Sequence, residues 1–458
     1  MAFLISVQRR CKEDKEERFM EPGKHVRISQ CMIVKNEEKN IERALSWGRD
    51  VMWEQIVVDT GSSDQTVEIA EGMGAKVYHF DWIDDFAAAK NYAIELAQGD
   101  WIAFLDADEY LAPGDGERLL AVLDSLPPDR FDGISTGWQQ LDGEGRIFAS
   151  GTQIRIFRNT PDIRYRRRIH EQLESVDGRE LQIGDVVASL SIFHTGYQGE
   201  AYVKKNEGGR NRKLILEELK DNPGDHEMMG YMGDECLEDG DRAGAEQWYR
   251  RSVENMPRRL LEGDQRSAVT YARLLTILAE KDGTSWEGMR QIYKRAVEHF
   301  PKEADFDYIV GRFFAALGKA GKASSYLEAA LKKLDDFGCS NRALLLAANL
   351  LDAYELLVRC CFEAGESQKC VTYAVACLKY DKYIMTVLSR LLLLLAPEGG
   401  GREEYHRILQ FFWGIYDLSS LKDRLFLVKT AQKTGCSGFA GYMAEKLFSP
   451  QERAALLS

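Results

Sequence analysis

Short apolar, β-branched runs alternate with helix-patterned segments between residues 27 and 109, and this alternation restricts the fold more than anything else in the sequence. RISQCMIVK (27–35) reads as a buried strand, and Ile41, Ala44, Leu45 and Trp47 follow at helical spacing. EQIVVDTGSSD (54–64) is a second strand ending in a small polar turn. TVEIAEGMG (66–74) is a helix closed by Gly74, and AKVYHF (75–80) is a third strand. AAAKNYAIELA (87–97) is a helix stopped by Gly99, and DWIAFLDADE (100–109) is a fourth strand that runs into carboxylates. Helices of this length between strands imply right-handed crossovers and a mainly parallel sheet, with ligands at the carboxyl ends of its strands. Residues 130–200 change character. FDGISTGWQQL, GRIFAS, QIRIFRN and VVASLSIFHTGY read as strands of a mixed extension, expected to close over the first sheet.

From about Asn211 the pattern is helical to the end, with a period of roughly 34 residues. Gly233, Ala245, Tyr249 and Pro257 fall at positions of a tetratricopeptide-like unit. Tyr293, Ala296 and Pro301 end a second, and Gly311, Gly318, Ala323, Leu327 and Ala330 mark a third. Weaker units centre on Gly365, Cys370 and Cys377, and on Gly435 and Ala440. Gly240, Gly318 and Gly365 are expected at turns between paired helices, where small residues let two helices approach closely. Plain helical hairpins without true repeats are the alternative.

A chain of 458 residues is longer than one core usually grows, so several domains are expected. The division read here is an N-terminal arm at 1–26, an α/β domain at 27–205 and a helical repeat domain at 206–458. The formal net charge of −13 gives no general attraction to nucleic acid or anionic lipid, although Arg164–Arg168 is a local basic patch. The nine cysteines form no CxxC pair, which suits reduced, buried thiols in a cytoplasmic protein. The charged first residues carry no apolar leader, and the apolar run at 387–397, interrupted by Arg390, is too short to span a bilayer. No integral membrane segment is therefore expected. An exposed final helical pair offers a surface for a homodimer.

The chemistry concentrates in a few segments. Asp106 and Asp108 end a very apolar strand, and their spacing puts both side chains on one face if the strand continues. Two such carboxylates repel unless a cation sits between them, and a hard divalent ion completed by diphosphate oxygens fits. A solvated strand end or a helix cap would explain a bare DxD equally well. Asp59, at the end of the second strand, can accept the imide N–H of a pyrimidine base or a ribose hydroxyl, while Asp64 caps the next helix. Asn36 and Glu37 sit where a crevice opens at the end of the first strand. Lys90 and Asn91 lie on a helix near these turns, where a cation can meet a diphosphate, or simply face solvent. Downstream, RRRIHEQL (166–173) and HTGY (194–197) supply His170, Glu171 and His194 in a basic setting. Glu171 is the candidate general base and His194 the candidate further metal or phosphate ligand, with the choice between His170 and His194 left open. Arg167 and Arg168 are candidates for stabilising a diphosphate.

Together CMIVKNEE, VVDTGSSDQT, FDWIDDFAAAKN and FLDADE resemble family 2 glycosyltransferases of the GT-A fold in order and spacing, over about residues 27 to 200. The IHEQ and HTGY segments followed by tetratricopeptide-like helices resemble the sublancin-type bacteriocin S-glycosyltransferases. They also resemble tetratricopeptide-containing glycosyltransferases of unassigned acceptor. The resemblance implies that Asp59 holds uracil, Asp106 the ribose or sugar, and Asp108 a Mn²⁺ or Mg²⁺ ion. Family members usually have Arg where this chain has Lys90, which keeps the charge without the bidentate fork. It implies an in-line displacement with inversion, in which Glu171 removes the acceptor proton. The expected function is transfer of a sugar from a nucleotide diphosphate-sugar to a peptide or protein side chain gripped by the repeats. The alternatives are a glycosyltransferase of polysaccharide or glycolipid synthesis, and a nucleotide-sugar-binding scaffold without turnover.

Overall fold

Seven residues of ISQCMIV form β1 (Ile28–Val34), buried almost throughout, as a strand covered on both faces must be. The chain is described by a computed structural model at residues 25–112, 114–127, 130–196, 209–260, 264–338, 344–396 and 398–457. The expected arm therefore lies largely outside the described residues. β1 leads through α1 (Ile41–Ser46) to β2 (Glu54–Asp59), then α2 (Thr66–Gly72), β3 (Lys76–His79), α3 (Phe86–Leu96) and β4 (Trp101–Phe104). β1, β2, β3 and β4 pair in parallel, in the spatial order β3-β2-β1-β4. Each of these elements was legible from apolar periodicity.

The fourth strand is shorter than the sequence suggested. It ends at Phe104, the chain turns through Asp106–Asp108, and β5 (Glu109–Leu111) starts again in a different pairing. After α4 (Asp115–Ser125) come β6 (Gly133–Leu141) and β7 (Ile147–Arg158), the latter a single strand where two were expected. The extension does not close over the first sheet. β7 pairs antiparallel with β4, opposing Trp101 to Arg158, so the same sheet continues from β4 through β7 and β6 to β11 (Ser191–His194) and then β5. An uncovered β4 would have presented a row of unpaired backbone groups on a wholly apolar strand, which β7 satisfies. β8 (Ile163–Arg166) and β9 (Gln172–Ser175) form a separate antiparallel pair. β10 (Ile183–Asp185) and β11 (Ser191–His194) both run parallel to β6.

Alternation along β4 divides the core between the two faces of the sheet. Trp101, Ala103 and Leu105 pack with Leu119 and Leu123 of α4, while Ile102 and Phe104 pack with Ala93 and Ile94 of α3. α5 (Arg210–Asp221) follows, and the contacts divide the chain between Pro223 and Gly224. The division falls later than residue 205, so α5 belongs with the sheet.

The described residues of the second unit carry helices throughout. They begin with α6 (His226–Glu238) and α7 (Arg242–Asn255) and end with Pro450–Leu457. Gly240, Gly318 and Gly365 have φ of +79°, +67° and +73° and occupy turns between paired helices, as the sequence indicated. A Cβ on Gly233 would overlap the Tyr249 ring, so the close approach of α6 and α7 requires a residue without a side chain.

Candidate active site

Asp85 opens α3 by accepting a hydrogen bond from the Ala88 N–H at 2.8 Å, and the next turn carries Lys90 inward. The Lys90 ammonium lies 5.2 Å from the Phe104 ring centre and 5.1 Å from that of Tyr165. It sits 2.5 Å from Glu171 Oε1 and 3.5 Å from Asp106 Oδ1. Burial disfavours its charge, yet Asp106 and Glu171 more than offset that and raise its pKa. Burial likewise pushes Glu171 up, but the charge and hydrogen bond of Lys90 pull it below its ordinary value. Lys90 is therefore not the surface lysine that its helix pattern allowed.

A second cation reaches the same carboxylate from β7. Arg155 Nη2 is 2.8 Å from Asp106 Oδ2 and 2.6 Å from Glu109 Oε1. Glu109 also accepts from the Trp138 indole N–H at 3.0 Å and, through Oε2, from the Asp106 backbone N–H at 3.0 Å. Its carboxyl is pushed up by burial, with Arg155 opposing. Asp106 is partly exposed, and Lys90 and Arg155 hold it well below the usual carboxylate range. The result is an alternating row: Glu171, Lys90, Asp106, Arg155, Glu109. Arg155, Glu109 and Trp138 were not singled out from the sequence. The available signal was an arginine between two isoleucines in QIRIF, a charge placed inside an apolar strand.

Asp106 and Asp108 do not share a face. Because β4 stops at Phe104, Asp106 turns to the two cations and Asp108 turns to β11. The Asp108 carbonyl accepts from the Thr195 N–H at 3.1 Å, and its Oδ2 lies 3.6 Å from His194 Nε2. The His194 ring lies 4.8 Å from that of Trp138. A Cβ built on Gly196 would overlap Asp108 Oδ2 and come within 2.7 Å of His194 Nε2. Gly196 thus lets a carboxylate and an imidazole pack directly against its backbone, a donor pair that suits Mn²⁺ or Mg²⁺ completed by phosphate and water oxygens. Asp106 is not part of that pair. Among the described residues, three such side chains converge in the second unit, at His226, Glu227 and Asp264. Asp264 there is the cap that accepts the Ser267 N–H at 2.9 Å.

The remaining expected residues divide between lining and bracing. Asp59 ends β2, accepts the N–H groups of Gly61 at 3.1 Å and Ser62 at 3.0 Å, and lies 3.4 Å from His79 Nδ1. With Thr60, Gly61, His79, Phe80, Asp81 and Trp82 it lines a cavity of about 190 Å³. Asn36, at φ +56°, accepts the Ser63 N–H through Oδ1 at 2.8 Å, and its own N–H donates to Ser62 Oγ at 2.9 Å. Glu37 accepts from Asn40 at 2.8 Å. Asn36 thus holds the ends of β1 and β2 together, while the Glu37 carboxylate braces the approach to α1. Asn91 was expected to meet the donor. Instead its carboxamide donates to the Tyr165 carbonyl at 2.9 Å and accepts the Tyr165 N–H at 2.9 Å, fixing β8 to α3. The Arg168 guanidinium pairs with Asp221 at 2.7 Å rather than with the carboxylate row.

The segment 29–177 matches the family model described as glycosyl transferase family 2. A TPR repeat-containing protein of Synechococcus elongatus is 34% identical over 266 residues, covering 56% of this chain and 62% of that protein. The SPbeta prophage-derived glycosyltransferase SunS of Bacillus subtilis is 26% identical over 281 residues, covering 60% of this chain and 64% of that one. The chain spans less than two thirds of the length of each of these relatives. Among solved structures, S. aureus TarS 1–349 aligns with a TM-score of 0.31 and 15% identity, covering 70% of this chain and 92% of that one. Glucosyl-3-phosphoglycerate synthase from Mycobacterium tuberculosis, in complex with Mn²⁺, UDP and glucosyl-3-phosphoglycerate, aligns with a TM-score of 0.22 and 23% identity, covering 26% and 46%. The segment matched to glycosyl transferase family 2 lies wholly within the first unit of this chain.

Proposed function

We propose that this protein is an inverting, metal-dependent glycosyltransferase that moves a sugar from a nucleotide diphosphate-sugar, UDP-linked, to a peptide or protein side chain. The observation that carries the reading is the carboxylate–cation row at the carboxyl end of β4, inside the family 2 match. Three carboxylates, Asp106, Glu109 and Glu171, face two permanent cations, Lys90 and Arg155, and Asp108 stands apart from them beside His194, which leaves a deficit of positive charge that a divalent ion suits. Held by Asp108 and His194, that ion would offset charge gathering on the departing diphosphate.

The chain's own residues have separable parts. Asp59 and the cavity beside it receive the base. Asp106, fixed on both oxygens by Lys90 and Arg155, presents an oriented carboxylate to a ribose or sugar hydroxyl. Glu171 takes the acceptor proton, and Lys90 keeps it ionised and aimed. The helical hairpins of the second unit supply the kind of extended surface that a peptide acceptor can follow. Seven described cysteines, all buried, favour reduced thiols and a reducing compartment, the cytoplasm. No described helix is long and apolar enough to cross a membrane.

The test is Glu171→Gln. The variant is expected to bind nucleotide as the parent does and to lose transfer by about a hundredfold or more, the usual scale of a general base. Full transfer activity in that variant removes Glu171 from the role.

A further inference from the structure

Two loops approach the site described above. One, residues 167–171, joins β8 to β9 and ends in Glu171. The other, residues 80–85, joins β3 to α3 and includes Asp81 and Trp82 of the cavity beside Asp59. Among the described residues, four non-glycine residues have positive φ, and three of them lie in these two loops: Asp84 at +58°, Arg167 at +75° and His170 at +52°. Backbone of that kind persists only where its surroundings impose it.

Both loops are contacted by α5, a helix outside the family 2 match. Glu218 is buried, and its Oε2 accepts the Arg168 backbone N–H at 3.0 Å, between the two left-handed residues of the first loop. Its other oxygen accepts from Asn222 at 2.6 Å. The Arg168 carbonyl accepts the Phe86 N–H at 2.9 Å, which ties this loop to the start of the helix carrying Lys90. On the second loop, Lys213 Nζ lies 2.6 Å from Asp84 Oδ2, while Asp84 Oδ1 accepts the Trp82 indole N–H at 2.9 Å. Trp82 packs edge-on against Phe86 at 4.8 Å, and the Arg210 guanidinium lies 5.4 Å over that same Phe86 ring.

We propose that α5 is a positioning element of the transfer reaction: Glu218 sets the loop that aims Glu171, and Lys213, through Asp84, sets the loop that places Trp82 beside the base cavity. The proposal rests on the transferase reading. It extends the functional unit beyond the family 2 segment to residue 221. A buried carboxylate aimed at one backbone N–H of a left-handed loop is a specific device, since losing it leaves that N–H without its acceptor.

The two contacts separate kinetically. The measurement is steady-state release of nucleoside diphosphate by the full chain from a panel of nucleotide-sugars with Mn²⁺, water serving as acceptor, with circular dichroism as a check on folding. Glu218→Ala is expected to lower kcat about tenfold or more, through displacement of Glu171, with donor KM little changed. Glu218→Gln keeps an oxygen for the Arg168 N–H and is expected to restore most of that loss. Lys213→Ala is a surface change, expected to raise donor KM about threefold, the scale of an exposed ion pair, at unchanged kcat. An active parent whose Glu218→Ala and Glu218→Gln variants match it, or lose kcat only in proportion to lost folded protein, overturns the proposal alone. So does a Lys213→Ala variant with unaltered donor KM. A parent that neither binds nor cleaves any donor overturns the transferase reading, and this proposal with it.

Discussion

Replacing Lys90 with methionine would leave the largely buried Glu171, and the partly exposed Asp106, with one cation fewer beside Phe104 and Tyr165. Removing one partner of a buried ion pair costs about 3–5 kcal/mol, because the other charge stays without its counterion. The sign of the pH dependence follows from the same residues. In the parent, Lys90 holds Glu171 below its ordinary value, so the pair's contribution is complete above the ordinary carboxylate range and is lost as pH falls through the depressed pKa. In the variant, burial without Lys90 raises the carboxyls, which then neutralise as pH falls. Urea denaturation is expected to show a larger gap between parent and Lys90→Met at pH 8 than at pH 5. An equal gap at both would contradict the pairing. Much of this site was legible from the sequence, since Asp106, Asp108, Glu171, His194 and Lys90 all stand out in their motifs. Arg155, Glu109 and Trp138 did not, because what brings them in is the antiparallel registration of β7 on β4 and β6, a tertiary choice that QIRIF does not encode locally. Asn91 shows the opposite failure. Its place beside Lys90 suggested a ligand contact, and the backbone of Tyr165 takes its whole carboxamide.

Elements set by local periodicity matched the sequence closely, while those set by pairing did not. The parallel strands and their helices could be read because buried strands are continuous apolar runs and the helices repeat at helical spacing. β4 was read too long because DADE follows WIAFL without a turn residue, and the stop at Phe104 comes from the change of partner between β7 and β11. β7 was read as two strands because the polar SGT step interrupts its pattern, although it pairs with β6 across that step. The glycines of the helical unit were legible in both their uses, as left-handed turns and as points of close approach. Gly233→Ala is expected to destabilise the helical unit by about 1–3 kcal/mol, because its Cβ would overlap a buried ring that cannot easily retreat. Tyr249 is held there by donating to Asp234 at 2.6 Å. Thermal unfolding followed by circular dichroism checks it, and an unchanged midpoint would mean that α6 and α7 do not approach as closely as described.

At the scale of the molecule, a sheet unit that matches glycosyl transferase family 2 and a helical unit share one chain whose net charge of −13 gives phosphate ligands no general attraction. On the proposed reading, recognition of a nucleotide diphosphate is local and falls to two fixed cations, a surplus of carboxylates, and the Asp108–His194 pair against Gly196. The central claim is that the Asp108–His194 pair takes a divalent ion together with a nucleotide diphosphate. It is tested most directly by thermal unfolding of the full chain with UDP, GDP and other nucleoside diphosphates, each with and without Mn²⁺, in the parent and in Asp108→Ala. A ligand that binds only the folded state raises the midpoint by mass action. The account predicts a shift with UDP that needs Mn²⁺ and disappears in a folded Asp108→Ala variant. A shift of equal size without metal, or one retained in Asp108→Ala, would contradict it.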